Sequence, residues 1–167
     1  MRGRAHVHAR ASITADEILP LRFQNTDDEA ELGRHALLGI DAEFSKRVAR
    51  GDILVAGEDF GCGSSREHAV WALRGAGVAA VVARSFSRVF FRNALNNGFL
   101  VVECARAVER IITGDLLEIG LQEGVVKNLT KGEAFKFVPF TPFAMEVLEA
   151  GGLLPYVLRQ TTGASSA

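Results

Sequence analysis

Cysteine is nearly absent from this sequence, and so are tryptophan, tyrosine and methionine. Cys62 and Cys104 stand alone and far apart, so neither a disulfide framework nor a metal-ligand spacing can be built from them. A reducing, cytoplasmic compartment is the expectation. No apolar run reaches the length of a membrane span. Arg2, Arg4 and Arg10 flank a beginning without the apolar centre of a secretory leader. Charge of one sign is missing too: 19 Lys and Arg against 20 Asp and Glu leave a formal charge of −1, which argues against a nucleic-acid-binding surface. Internal repeats and low-complexity linkers are not found. What remains is 167 residues, 48% hydrophobic and 23% charged, and a single domain over 1–167 is expected.

The chain is organised around residues 60–73, Phe60-Gly61-Cys62-Gly63-Ser64-Ser65-Arg66-Glu67-His68-Ala69-Val70-Trp71-Ala72-Leu73. The apolar run Ile53–Ala56 precedes it with strand character, and Ala69, Val70, Leu73 and Ala76 follow at helical spacing. Between strand and helix, glycines at 57, 61 and 63 let backbone amides approach a ligand where a Cβ would block it. Orphan amides at a helix start favour an anion. Ser64 or Ser65 is the expected cap of a helix over 65–75, with Glu67 near enough to close a capping box. The stretch reads as a seat for a carboxylate or phosphate, with hydroxyl groups inside it.

Around it, Ala5, Val7 and Ala9 alternate with polar neighbours and predict an edge strand. Residues 21–52 are the polar part, where Thr26 or Asp27 is expected to cap a helix with Arg34 and His35 in its last turn, and where mobility is expected. Val78–Ala83 and Phe99–Val102 read as buried parallel strands, with a helix capped by Ser85 or Ser87 between them. This β-α-β-α-β succession implies right-handed crossovers. Asp115–Leu121, Val125–Leu129 and Ala134–Val138 alternate and predict antiparallel hairpins. Thr141-Pro142 opens a helix that Gly151-Gly152 ends, and 161–167 is expected to fray.

Residues 61–68, the Val55-Ala56-Gly57 run before them and Ser85-Phe86-x-Arg88-x-Phe90-x-Arg92-Asn93 after them resemble the swivelling domain of the aconitase superfamily. The chain is most similar to the free-standing small subunits of 3-isopropylmalate dehydratase and homoaconitase, with further matches at Pro20, Thr26-Asp27, 127–130 and 149–153, so the likeness covers most of 14–160. The resemblance implies an α/β fold, a mixed sheet with flanking helices. It implies a hydro-lyase that moves a hydroxyl between adjacent carbons of a substituted malate. It also implies a large-subunit partner whose cysteines hold a [4Fe-4S] cluster, with no metal on this chain.

By the same resemblance, Ser64 matches the serine that removes the substrate Cα proton, against the simpler role of helix cap. Ser65 and Arg66 match positions that bind substrate carboxylate, and a planar guanidinium suits that task better than an ammonium. Asp16 matches an acidic residue near the site, although Ser12-Ile13-Thr14-Ala15 departs from the glycine and second aspartate of relatives. Phe23, Gln24, Asn25 and Thr26 match the loop that contacts the variable substituent of the substrate. Phe23 suits an isopropyl group, whereas Arg22 suits a second carboxylate. Isopropylmalate in leucine biosynthesis is the first reading; homocitrate-type or methylated malates follow, as does a partner module without turnover. His68 is expected to be structural, and Cys62 either a packed residue or a reactive thiol.

Two other classes fit less well. The loop lacks the Lys-Ser/Thr ending of a P-loop and the third glycine of a dinucleotide fingerprint, whose place Arg66 takes. No Gly-x-Ser-x-Gly elbow surrounds Ser64, which argues against a serine hydrolase.

Overall fold

The apolar runs become the parallel half of a seven-stranded mixed sheet in the computed structural model, which describes residues 1–63 and 66–163. Strands β1 (Arg2–His8), β2 (Ile53–Ala56), β3 (Ala80–Ala83) and β4 (Leu100–Glu103) pair in parallel, with Ala5 beside Ile53, Leu54 beside Val81 and Val82 beside Val102. Strands β5 (Leu116–Gly120), β6 (Val125–Asn128) and β7 (Glu133–Lys136) add antiparallel, giving the order β4-β3-β2-β1-β5-β6-β7. Three parallel neighbours joined by helical crossovers, then two hairpins, match the sequence reading.

The position of β1 does not. The first strand is central, parallel to β2 on one side and antiparallel to β5 on the other. Its polar residues are matched by partners far along the chain: His6 Nε2 lies 2.8 Å from Asp52 Oδ2, and Arg2 Nε donates to Glu118 at 2.5 Å. Alternation with charged residues therefore reflects long-range pairing here, not an open edge.

Because successive strand residues point to opposite faces, the parallel half feeds two cores. Leu54, Ala56, Val81, Ala83 and Val101 pack against helices α1 (Ala15–Ile18), α2 (Glu29–Gly33), α4 (His68–Gly75) and α5 (Arg88–Asn96) through Ile18, Leu32, Leu73 and Phe90. On the other face Ile53, Val55, Val82 and Val102 share a cluster with Leu117, Ile119, Val126 and Phe135 of the antiparallel half, and with α6 (Ala105–Val108). Each such buried aliphatic or aromatic side chain contributes about 1.5–3 kcal/mol. These two layers, not helix propensity, hold the short helices in place.

The polar segment is more anchored than its composition suggests. Asp28, not Thr26 or Asp27, caps α2 by accepting from Ala30 N and Glu31 N, and the helix ends at Gly33, so Arg34 is its C-cap. Leu32, Leu37 and Phe44 are fully buried, the last at the start of α3 (Phe44–Arg47). Residues 21–28, with a 3-10 turn over Leu21–Phe23, contain no buried side chain. At the other end, Thr141 caps α7 (Pro142–Ala150), Gly151 closes it in the left-handed region, and α8 (Leu153–Gly163) follows. Helix therefore continues through Thr161–Gly163, where fraying was expected. Residues 164–167 lie outside the described residues.

Candidate active site

The carboxyl ends of the parallel strands are where open sheets of this kind hold ligands. The loop leaving β2 is stitched there on two sides. On one, Gly61 N donates to Ile13 O at 2.8 Å and Ala15 N donates to Cys62 O at 2.8 Å, tying the loop to the start of α1. On the other, Ser87 N donates to Phe60 O at 3.0 Å and Ser87 Oγ donates to Gly61 O at 3.0 Å, tying it to the start of α5. Gly61 is required here: its φ is +80°, and a Cβ would lie 2.3 Å from Phe90 Cγ. Sequence spacing located this loop correctly, and the structure adds the clamp.

Helix α4 begins later than the sequence predicts. It runs from His68, with Glu67 as an N-cap that makes no side-chain cap bond. Glu67 Oε1 instead accepts from Asn97 Nδ2 at 3.2 Å, while Asn97 Oδ1 accepts from Trp71 Nε1 at 2.8 Å. A network across α4 and α5 has taken the carboxylate that was expected to close a capping box. Nothing in the sequence marks Asn97 for this role, because its partners come from another helix.

Ser64 and Ser65 lie outside the described residues. Arg66 follows them, exposed, and its Nη1 donates to Gln24 Oε1 at 3.4 Å. Gln24 also donates from Nε2 to Leu19 O at 2.9 Å. One residue of the expected specificity loop is thus joined to the expected carboxylate ligand. Phe23 stacks on His35 with centroids 3.8 Å apart and planes 9° from parallel, and the Arg22 guanidinium lies 4.6 Å from the Phe23 centroid. Asn25 is exposed, and Thr26 Oγ1 accepts from Asp28 N at 3.2 Å, a turn contact. Stacking by His35 had no sequence signal, since a turn and helix α2 separate it from Phe23.

Asp16 is exposed in the first turn of α1. The helix is opened by a full capping box in which Thr14 Oγ1 accepts from Glu17 N and Thr14 N donates to Glu17 Oε2. That amide bond, then Arg10, holds the Glu17 carboxyl below its ordinary range. His68 directs Nε2 towards Asp27 Oδ1 at 3.7 Å and stacks at a tilt on Trp71, while its buried Nδ1 has no hydrogen-bond partner among the described residues. Burial, and then the Asp59 carboxylate, pushes the Cys62 thiol up, so its thiolate is disfavoured at neutral pH. Among the described residues no group of three or more His, Cys, Asp or Glu side chains comes together to hold a metal ion.

Comparison with known proteins defines the class first: residues 6–107 match the aconitase C-terminal domain. The 3-isopropylmalate dehydratase small subunit of Deinococcus deserti is 54% identical over 157 residues, covering 94% of this chain and 87% of the relative. The corresponding protein of Caldicellulosiruptor bescii is 49% identical, with 93% of each chain covered, and the isopropylmalate/citramalate isomerase small subunit of Methanocaldococcus jannaschii is 46% identical, with 89% of each covered. A crystal structure of 3-isopropylmalate dehydratase from Methanocaldococcus jannaschii superposes with a TM-score of 0.93 at 39% identity, covering 99% of this chain and 97% of that one. This chain belongs to the family of 3-isopropylmalate dehydratase small subunits, within the aconitase C-terminal domain class.

Proposed function

We propose that this chain is the small subunit of a heteromeric hydro-lyase that interconverts 2-isopropylmalate and 3-isopropylmalate, the isomerisation used in leucine biosynthesis. Dehydration removes a proton from one carbon and a hydroxyl from its neighbour, and rehydration returns them exchanged. The observation that carries the reading is the clamped loop over residues 57–63 at the carboxyl edge of the sheet, in a chain 54% identical to a named small subunit.

In this reading Ser64 accepts the Cα proton, and Ser65 and Arg66 hold a substrate carboxylate, Arg66 through its planar fork. Gln24 sets the angle from which that fork is offered. Asp16, exposed at the start of α1, borders the substrate space. In this reading an iron–sulfur cluster is held by the large subunit, where it would supply Lewis-acid chemistry. The chain is expected to be inactive alone, and to work in the cytoplasm, consistent with two free thiols. No helix among the described residues is long and apolar enough to cross a membrane.

Phe23 to Thr26 face the variable substituent, and residues 21–28, which bury no side chain, are the part of 21–52 free to move when substrate enters. A second reading, a methylated malate such as citramalate, is favoured by the dual name of one relative. Homocitrate-type substrates need a cation for a further carboxylate, and Arg22 is engaged over the Phe23 ring.

The test is reconstitution with the cognate large subunit, assaying isopropylmalate, citramalate and homocitrate side by side. Ser64→Ala should abolish turnover with assembly intact; near-normal turnover would overturn the assignment of the base.

A further inference from the structure

Helices α5, α7 and α8 enclose a groove of about 640 Å³ beside the active-site edge, with Phe91, Leu95, Phe143 and Leu153 among its walls. It is continuous with the clamped loop, because Ser87, the cap of α5, bonds Gly61, and Phe86, which lines the groove, stacks on Phe90 against Phe60. A large apolar side chain of its wall stays in water: Phe143 is 57% exposed. Patches of that kind mark binding surfaces.

Two arginines and one acid supply the charge in the groove, and the acid, Glu103, accepts from Phe86 N at 3.2 Å. Arg88 and Arg92 line it, are exposed, and make no hydrogen bond or ion pair among the described residues. Elsewhere Arg74, Arg84 and Arg110 are paired with Glu29, Glu109 and Glu133. Both unpaired cations sit badly for an isolated helix. Arg88 is the first residue of α5, where a positive charge opposes the helix dipole, and no acid stands in that turn. Arg92 follows one turn later on the same face, a like-charge pair at i,i+4. An anionic partner removes both penalties at once.

We infer that this groove is where the large subunit docks, through an apolar segment carrying a carboxylate that pairs with Arg88 and Arg92. The inference rests on the functional reading above, which needs a partner to complete the site at this edge. A second copy of this chain fits less well. A two-fold interface sets the same patch against itself, which brings four arginines into one seam.

The test measures affinity of the full chain for the cognate large subunit at low and moderate salt. Arg88→Glu and Arg92→Glu should each weaken binding about tenfold or more and flatten its salt dependence, as expected for a buried arginine anchor. Phe143→Ser should weaken it with the salt dependence kept. Saturating large subunit should restore kcat in all three, melting curves should match wild type, and Arg106→Glu on α6 should bind normally. Wild-type affinity in the groove variants overturns the inference, and so does sedimentation in which they lose only self-association. A wild-type chain that fails to bind any large subunit overturns the functional reading itself, whereas an inactive Ser64→Ala alongside normally binding groove variants overturns this inference alone.

Discussion

Gln24 spends both ends of its carboxamide inside the chain, its nitrogen on Leu19 O at 2.9 Å and its oxygen on Arg66 Nη1 at 3.4 Å. The Leu19 carbonyl can only accept, so it fixes which end of the amide faces the guanidinium. Gln24→Leu should therefore remove one of the contacts that orient Arg66, raising KM for the dicarboxylate roughly three- to tenfold with kcat held, the scale of one modest hydrogen bond. In an Arg66→Lys background the same change should add nothing. Equal losses in both backgrounds would separate the two residues.

Helices α2 and α4 cross where neither can carry a side chain. A Cβ at Gly75 would lie 1.8 Å from Glu29 O, and one at Gly33 would lie 2.3 Å from the Gly75 carbonyl carbon. Gly75→Ala should cost about 1–3 kcal/mol by overpacking and lower Tm by several degrees. Its effect should reach Arg74, whose pairing with Glu29 depends on the same approach. An unchanged melting curve would mean the crossing is soft.

Acid should weaken the fold over two separate pH ranges. Burial, then Arg47 and His6, lowers the His8 pKa against the opposing pull of Asp41. Folding thus favours neutral His8, and stability falls as pH drops below the unfolded histidine value near 6.5. Arg47 holds Asp41 down; Asp52 and Asp115 are lowered although burial opposes it, because amide, His6 and Asn128 hydrogen bonds outweigh the burial. Those carboxylates stabilise fully above about 4 and lose their contribution as pH falls through their lower folded values. Tm against pH should show both steps, and His8→Gln should remove the upper one alone.

Cys62 should behave as a packed thiol. With its pKa raised by burial and Asp59, alkylation at pH 7 should be slow compared with a free thiol and should climb only at alkaline pH. Fast labelling at pH 7, followed by mass spectrometry, would contradict this.

Local signals in the sequence were reliable where short-range chemistry decides the outcome. The glycine loop, the Ser87 and Thr141 caps and the parallel runs around Val55, Val82 and Val101 all follow from neighbours in the chain. The rest depended on partners far away. The central place of β1 comes from its pairing with β2 and with the distant β5, and the late start of α4 goes with the capture of Glu67 by Asn97. Asp28 prevailed over Thr26 and Asp27 because Leu32 had to reach the core on the first turn after it. The site divided in the same way: the loop was legible, but the Gln24–Arg66 and Phe23–His35 contacts needed the fold.

The seam position of the first strand has a consequence for biosynthesis. Residues 2–8 are synthesised long before residues 113–119, yet one flank of that ribbon pairs with that later segment. At about 5–20 residues per second, many seconds pass with backbone amides and carbonyls on that flank unclaimed. Nascent chains of this protein should therefore depend on chaperone shielding until the last third emerges, and a bulky amino-terminal fusion should harm yield more than a carboxyl-terminal one.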